Sequence, residues 1–522
     1  MTRLRHRIPV SVRQNWKLLV AGVTFLGVCW GVFGSGTVRP YAVSVSNASG
    51  DLVTQDVTGS KDLFDTSVAH QLTLTFRDEA YEDMLTEYAK DGEKKYVEAD
   101  LTIDGTTIPS VGIRLKGNST LQGLTWKGER VRQRMGGRGG GPGGPPGGER
   151  PGGFQPPEGF QPPDGFQPPE GFQPPEGFQP PDGNGPPRNG DQPPERQGQR
   201  RGGGMGGFGA TLKAEEPENL PWLVSFDEFV DGRRYQGHAQ VAVRPVTGQA
   251  STMLNEALAI STVGAAGEPT QSYTYSAFTV NGRASAPRLV VEYLDEGYAE
   301  ELGDGVLYKS LATGSFTYKG EDQTQYGTDF KQVNKVGGTD LQPVINLVKW
   351  VNEASDEEFA AGLAERLDVE SFARYAVLQN LMLNFDDMSG PGRNYYLWYD
   401  LDTRKFRVIT WDLNLAYNGD ASAGPNDGVG GFGGRMMGGH KLKERFLETP
   451  AFKKLYEEQY AALYRELLAG GTLTNVLDDI VESYKLNGGG GQIDSDAERL
   501  RTLLTERAKA LSTDEVITRH TS

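Results

Sequence analysis

The stretch LNFDDMSGPGRNYYLWYD, residues 383–400, joins the end of an apolar run to a Gly-Pro-Gly turn and an aromatic strand. Two adjacent carboxylates, Asp386 and Asp387, stand at the C-terminal end of a helix that the apolar spacing predicts over 369–384. Negative charge is unfavourable at a helix C-terminus, because the backbone carbonyls there already carry partial negative charge. The acid pair therefore needs a nearby cation or a role in proton transfer.

A further acidic group follows this stretch along the chain. Two strands predicted over 394–400 and 405–411 form a hairpin, and the second runs into Asp412. Asn414 lies two residues further on, so both side chains can point the same way. Phosphoryl transfer uses one carboxylate to accept a hydroxyl proton, and another with a carbonyl-bearing side chain to hold Mg²⁺ or Mn²⁺. The pattern indicates such a site, and the competing interpretation is a set of capping or solvated acids.

Composition and charge restrict the class of protein. The 522-residue chain is long enough for one two-lobed domain or for two domains. Its formal net charge of −16 argues against nucleic acid as a partner, since such binding depends on phosphate contacts. The single cysteine, Cys29, excludes an intrachain disulfide and a cysteine-based zinc site.

The N-terminus predicts the location of the protein. Residues 1–17 carry five Lys or Arg side chains and no acid, and the apolar segment 18–36 is about long enough to span a membrane. We interpret them as a cytoplasmic tail and a single transmembrane signal anchor, with a cleaved signal peptide as the alternative. Residues 37–69 then form a linker, and the catalytic domain lies outside the cytoplasm at the cell membrane.

The remaining chain changes character along its length. Residues 70–340 are rich in strand patterns, with hairpin turns at Asp104-Gly105 and Asn281-Gly282, and residues 341–522 are mainly helical. Between 135 and 209 the chain is rich in Gly and Pro and contains five copies of GFQPP[E/D], which predicts a disordered insert. We therefore expect an α+β protein with a β-rich N-lobe, a helical C-lobe and a ligand cleft between them.

Six motifs, in this order, resemble those of the CotH family of spore-coat-protein-H-like atypical kinases. They are RLKGNST (114–120), FDEFVDGRRYQG (226–237), VVEYLDEGY (290–298), GVLYK (305–309), NFDDMSGPGRNYYLWYD (384–400) and ITWDLNLAYNG (409–419). The resemblance covers about residues 70–485 apart from the insert. It implies a divergent protein-kinase-like fold, with ATP and Mg²⁺ or Mn²⁺ as cofactors and Ser or Thr of envelope proteins as the acceptor.

The resemblance and the residue pattern together identify eight candidate site residues. The family motifs make Asp386 the catalytic aspartate, which would accept the hydroxyl proton, with Asp387 as the alternative base, and make Asp412 a metal ligand. The other candidate ligands for the metal are the carbonyl-bearing side chains of Asn394 and Asn414. Lys309 or Lys116 would meet the nucleotide phosphates, and Glu292 would support a lysine or the metal.

A non-catalytic function is the alternative interpretation of the same sequence. A CotH-like fold could act as an adhesion protein or scaffold in the cell envelope, with the Gly/Pro-rich insert as an interaction arm. A kinase and a scaffold differ in nucleotide binding, because only the kinase is stabilised by ATP and a divalent metal.

Overall fold

The computed structural model describes residues 52–118, 120–131, 212–246, 251–336, 338–429 and 439–520. All of them belong to one of two units, the unit formed by Met1–Gln133 and Ala210–Ser522. The second unit, Arg134–Gly209, contains the predicted insert and lies outside the described residues. The tail 1–17 and the anchor 18–36 lie outside them as well.

The described strands and helices alternate in the first half of the chain, and helices dominate the second. The strands are β1 Gln55–Val57, β2 Gln71–Phe76, β3 Val97–Ile103, β4 Thr106–Leu115, β5 Thr125–Trp126, β6 Glu129–Arg130, β7 Trp222–Ser225, β8 Arg233–Tyr235, β9 Gln240–Val243, β10 Tyr273–Val280, β11 Ala286–Glu292, β12 Gly305–Ser310, β13 Phe330–Gln332, β14 Tyr395–Asp400 and β15 Phe406–Thr410. The α-helices are α1 Asp78–Asp91, α2 Leu254–Ala265, α3 Glu296–Leu302, α4 Gln342–Glu353, α5 Asp356–Gly362, α6 Val369–Leu381, α7 Lys441–Glu448, α8 Pro450–Leu463, α9 Thr472–Leu486, α10 Gln492–Leu511 and α11 Glu515–Arg519.

Seven strands close into a barrel in the order β10-β11-β9-β7-β4-β3-β2. Neighbours are antiparallel except β2 and β10, which are parallel and close the ring, with Leu72 opposite Phe278. The predicted hairpin turn at Asp104-Gly105 is confirmed, and both residues have positive φ, 49° and 85°. The turn at Asn281-Gly282 is also confirmed, with φ of 47° and 71°. Such turns favour Asn, Asp and Gly because positive φ is costly for other residues.

Alternation along the barrel strands separates an inner face from an outer face. On β4, Ile113 and Leu115 belong to the apolar cluster that fills the barrel. Val241 and Val243 of β9 belong to the same cluster. Since successive side chains on a strand point to opposite faces, the residues between and after them lie on the outer face. This places the polar side chains that follow β4 and β9 outside the barrel.

The outer face packs against the helical part of the chain. Leu289 and Val291 of β11 belong to a large apolar cluster shared with α2, α4, α6 and the C-terminal helices, whereas Val290 faces the barrel interior. A separate antiparallel sheet has the order β13-β12-β14-β15. Its hairpin β14–β15 agrees with the predicted strands to within about one residue and leads directly to Trp411 and Asp412.

The structure is α+β, but the predicted two-lobed, protein-kinase-like fold was wrong. The first half forms a closed barrel, because β2 pairs with β10 far along the chain, and no local pattern in the sequence indicated that contact. No helix in the described ranges is long and apolar enough to cross a membrane. The lobe boundary at 340/341 stays a prediction.

Candidate functional site

A buried arginine joins two carboxylates at the outer face of the barrel. Arg244 follows β9, and its Nε lies 2.8 and 2.7 Å from the two carboxylate oxygens of Glu256 on α2. Its Nη2 contacts Glu256 and lies 2.5 Å from Oδ1 of Asp412. Arg244 is 7 % exposed and Glu256 is fully buried, so each charge depends on the other. The arginine fixes Asp412 relative to the barrel.

Asp412 stays ionised although protein shields most of its carboxylate from solvent. Burial alone would raise its pKa, but the positive charges of Arg244, Lys116 and Lys309 outweigh burial and hold the pKa at about 2. Its backbone has a positive φ of 56°, an unusual conformation that recurs at functional sites. Asp412 is therefore an anion that faces three cations.

Two predicted lysines meet at the same tryptophan. Nζ of Lys116, just after β4, lies 5.2 Å from the ring centroid of Trp411, and Nζ of Lys309 on β12 lies 4.9 Å from it. Lys309 also donates a hydrogen bond of 3.1 Å to the hydroxyl of Tyr293. The structure thus brings both candidate lysines to Asp412, and no choice between them is needed.

Two further basic residues extend this cluster. Lys94 precedes β3 and donates a 2.6 Å hydrogen bond to the side chain of Asn118. Burial, together with the positive charges of Arg114 and Lys309, lowers the pKa of Lys94 to about 8. Arg114 lies on the outer face of β4, with its guanidinium 5.1 Å from the ring centroid of Tyr96. We refer to Lys94, Arg114, Lys116 and Lys309 as the basic cluster.

Asp386 lies beside the candidate metal ligand Asn394 in a tight turn. Its Oδ1 accepts a 2.6 Å hydrogen bond from the Gly392 N–H, and its Oδ2 accepts one of 3.0 Å from Nδ2 of Asn394. Burial raises the pKa of Asp386, and the negative charge of Asp412 raises it further, against the hydrogen bonds from Gly392 and Asn394. The coupling shows that Asp386 and Asp412 share one region of the molecule.

Asp387 has a different environment from its neighbour. It is 3 % exposed and forms an ion pair with Lys443 on α7. Its Oδ1 also accepts a 2.7 Å hydrogen bond from the Ser389 N–H. Lys443 is the compensating cation expected for an acid at this helix end, and the pairing favours a structural role for Asp387.

The two remaining candidates are separated from each other. Asn414 is two residues from Asp412, and its backbone carbonyl accepts a 2.7 Å hydrogen bond from Asn255. Glu292 accepts a 2.8 Å hydrogen bond from the Ser272 N–H and faces His238. Glu292 therefore does not support either lysine, in contrast to its neighbour Tyr293.

Sequence reasoning did not identify Arg244, Glu256, Lys94 or Arg114. A usable signal existed for the first two. Arg244 ends the apolar run VAV, and Glu256 is the acid in the otherwise apolar first turns of a helix that packs on all sides. A charge in such a position is retained only when it is paired. Lys94 lies in a run of charged residues and carried no comparable signal.

The residues present fit a nucleotide with a divalent metal. Four basic side chains gather in a chain whose net charge is −16, which suits a polyanion such as a triphosphate. The carboxylate of Asp412 and the amide oxygen of Asn414 are ligand types that Mg²⁺ and Mn²⁺ accept. Asp386 supplies a second carboxylate next to them.

The fold and the site together define an α+β protein in which a basic cluster faces two carboxylates, an arrangement suited to phosphoryl transfer. A family model described as CotH kinase protein matches residues 214–509. The chain belongs to the CotH kinase family, and the resemblance inferred from its motifs is confirmed. Membership indicates a CotH-like kinase function, with a nucleotide and a protein as the substrates. A search of curated proteins finds no match.

Proposed function

We propose that this protein transfers the terminal phosphate of ATP to Ser or Thr hydroxyls of cell-envelope proteins, with Mg²⁺ or Mn²⁺. The observation that carries the proposal is the convergence of the basic cluster with Asp412 and Asp386. Lys116 and Lys309 approach one indole ring from the barrel and from β12, so two separate elements supply the charge that binds phosphate. The family membership supports the same activity.

Asp412 and Asn414 are the proposed metal ligands. Arg244 holds Oδ1 of Asp412 and thereby orients the carboxylate, and no hydrogen bond engages Oδ2 among the described residues. The low pKa keeps Asp412 ionised throughout the physiological range. A divalent metal would neutralise charge on the phosphates, which is the main contribution of the ion in such sites.

Asp386 is the proposed acceptor of the hydroxyl proton. Hydrogen bonds from Gly392 and Asn394 fix the orientation of its carboxylate. Its raised pKa makes it a stronger base than an ordinary aspartate, which suits a group that accepts a proton. Asp387 is a weaker candidate because Lys443 engages it.

Intact mass and thermal shift test this proposal. The full chain is incubated with ATP and Mn²⁺ and with cell-envelope or cytosolic extract as acceptor. Asp386→Asn should retain nucleotide-dependent stabilisation but lose phosphate transfer by roughly 10²- to 10⁴-fold, as expected when a general base is removed. Asp412→Asn should lose the metal-dependent part of nucleotide binding. Asparagine is chosen because it tolerates the positive φ at this position.

Asp402→Asn is the matched control, since Asp402 is an exposed aspartate in the turn between β14 and β15. It should behave like the wild type in both measurements. If the wild-type chain gains no stability from ATP and Mn²⁺ and transfers no phosphate to either extract, the kinase proposal is wrong and the envelope scaffold is favoured. If Asp386→Asn transfers phosphate as fast as the wild type, only the role of Asp386 is rejected, and the kinase proposal stands.

A further inference from the structure

Three buried polar atoms come together without hydrogen-bond partners on another side of the barrel. They are Nδ1 of His238, Oε1 of Glu292 and the hydroxyl of Tyr298. None forms a hydrogen bond among the described residues, and the first two make only a 3.4 Å ion-pair contact with each other. The three residues are only 7 %, 1 % and 3 % exposed. Buried side-chain polar atoms are nearly always hydrogen-bonded, so three unpartnered atoms in one place require an explanation such as a bound ion.

A fourth residue, Glu301, completes the group. One ligand atom each from His238, Glu292 and Glu301 lies within 4.8 Å of the others. Glu301 is on α3, three residues after Tyr298, so both side chains lie on the same side of the helix. Glu301 is exposed, which opens one side of the group to solvent.

The distance between His238 and Glu292 fits a shared metal better than a direct hydrogen bond. Nδ1 and Oε1 are 3.4 Å apart, beyond the usual range of about 2.7–3.2 Å for a hydrogen bond. Two ligands bound at about 2.1 Å from one ion, at the tetrahedral angle, are about 3.4 Å apart. The other carboxylate oxygen of Glu292 is fixed by the Ser272 N–H, so Oε1 is held in place.

We propose that His238, Glu292 and Glu301 form a binding site for one divalent transition-metal cation, with Zn²⁺ as the preferred ion. An imidazole nitrogen with two carboxylate oxygens is a ligand set that Zn²⁺ accepts, and three protein ligands leave a fourth position for water. Mg²⁺ and Ca²⁺ prefer oxygen ligands and bind weakly to imidazole. The site is thus distinct in chemistry from the phosphate-linked metal proposed at Asp412.

The two sites also lie on opposite faces of the chain at the end of β11. Glu292 follows Val291 and shares the inward face with Val290, whereas the next residue, Tyr293, contacts Lys309 of the basic cluster. A cation at Glu292 would join the end of β11 to α3 and to the turn after β8. It would therefore hold Tyr293 in place without touching nucleotide.

Zinc binding to the full chain, stripped of metal with a chelator, tests the proposal in the absence of nucleotide. Calorimetric titration with Zn²⁺ should show one site that persists in Asp412→Asn and resists millimolar Mg²⁺. Glu301→Gln and His238→Gln should each weaken this binding at least tenfold. Zn²⁺ should also raise the unfolding temperature of the wild type and not that of these two variants.

Asp304→Asn is the matched control, because Asp304 is an exposed carboxylate close to Glu301 in sequence and outside the ligand group. It should bind Zn²⁺ like the wild type. The exposed position of Glu301 makes Glu301→Gln informative even if His238→Gln fails to fold. The proposal is overturned if the folded wild type does not bind Zn²⁺, or if Glu301→Gln binds it as tightly as the wild type.

Discussion

Lys116 illustrates how the site sets the charge of a single side chain. Burial, followed by the positive charge of Arg244, lowers its pKa from the ordinary 10.5 to about 7, although Asp412 and Glu256 act in the opposite direction. A phosphate favours the protonated form, because the ammonium neutralises its charge. Lys116 is therefore half charged near neutral pH before any anion binds.

This charge state predicts a pH dependence of nucleotide binding. Below pH 7 Lys116 is protonated and attracts phosphate. Above pH 7 Lys116 is mostly neutral, and it must take up a proton when phosphate binds. The affinity for ATP should therefore fall between pH 7 and 9, by up to about tenfold per pH unit. Calorimetric titration across this range measures it. Lys116→Arg, whose guanidinium stays charged, should remove the part of the fall that begins near pH 7 and leave the part due to Lys94, whose pKa is about 8. A flat wild-type profile would contradict the assignment.

At the residue scale, local patterns pointed to some of the residues that the structure brings together and not to others. Asp386, Asn394 and Asp412 were identified because a helix end, a turn and a strand end are all visible in one stretch of sequence. The sequence marks Arg244 and Glu256 separately as charges that need a partner, but only the fold shows that they pair with each other. Glu292 was identified as a functional residue, but the strand alternation that turns it away from Lys309 depends on where β11 ends.

At the element scale, the hairpin turns depend on positive φ. Gly105 and Gly282 have φ of 85° and 71°, and a β-carbon added at either would meet no atom within 4 Å. The only expected penalty of a substitution is thus backbone strain. Gly105→Ala and Gly282→Ala should each destabilise the protein by about 1–2 kcal/mol in urea denaturation.

Gly491 provides the matched control for these two changes. Its surroundings are equally open, but its φ of −47° is helical, and it immediately precedes α10. Gly491→Ala should be neutral or stabilise by up to about 1 kcal/mol, because alanine restricts the unfolded chain. Equal effects of all three substitutions would show that positive φ is not what these turns require.

Elements were predictable wherever a local signal exists. The strands predicted over 394–400 and 405–411 coincide with β14 and β15 to within about one residue, and the helix predicted over 369–384 begins where α6 begins. The pairing of β2 with β10 was not predictable, since no turn connects them. This one contact closes the barrel, and the predicted β-rich N-lobe did not include it.

At the scale of the whole molecule, the two ends of the insertion meet at one short strand. The Val131 N–H donates a 2.9 Å hydrogen bond to the Leu124 carbonyl, and the Thr125 N–H donates one of 2.8 Å to the Leu212 carbonyl. Both ends of the insertion are thus held beside β5, which pairs with β6 and is not one of the barrel strands. Residues Arg134–Gly209 form a separate unit from the rest of the chain.

Replacement of Arg134–Gly209 by about eight Gly and Ser residues should therefore preserve the fold. The unfolding temperature should be unchanged or slightly higher, because a shorter loop costs less entropy to close, by roughly 0.6 kcal/mol per halving of its length. Differential scanning calorimetry measures the transition. Replacement of the repeats 153–182 alone is the control. If the longer replacement is much less stable than the wild type and the control is not, the flanking parts of the insert pack on the barrel.

A contact between the start of β2 and the end of α9 also sets when this protein can become native during its synthesis. The His70 N–H, at the start of β2, donates a 2.8 Å hydrogen bond to Oδ1 of Asn487, a residue 417 positions later. At typical bacterial and eukaryotic translation speeds, a ribosome needs roughly 20 to 80 s to make that length of chain. The barrel strands all lie within residues 71–292 and can pair earlier, but the contact of His70 forms only after Asn487 has left the ribosome.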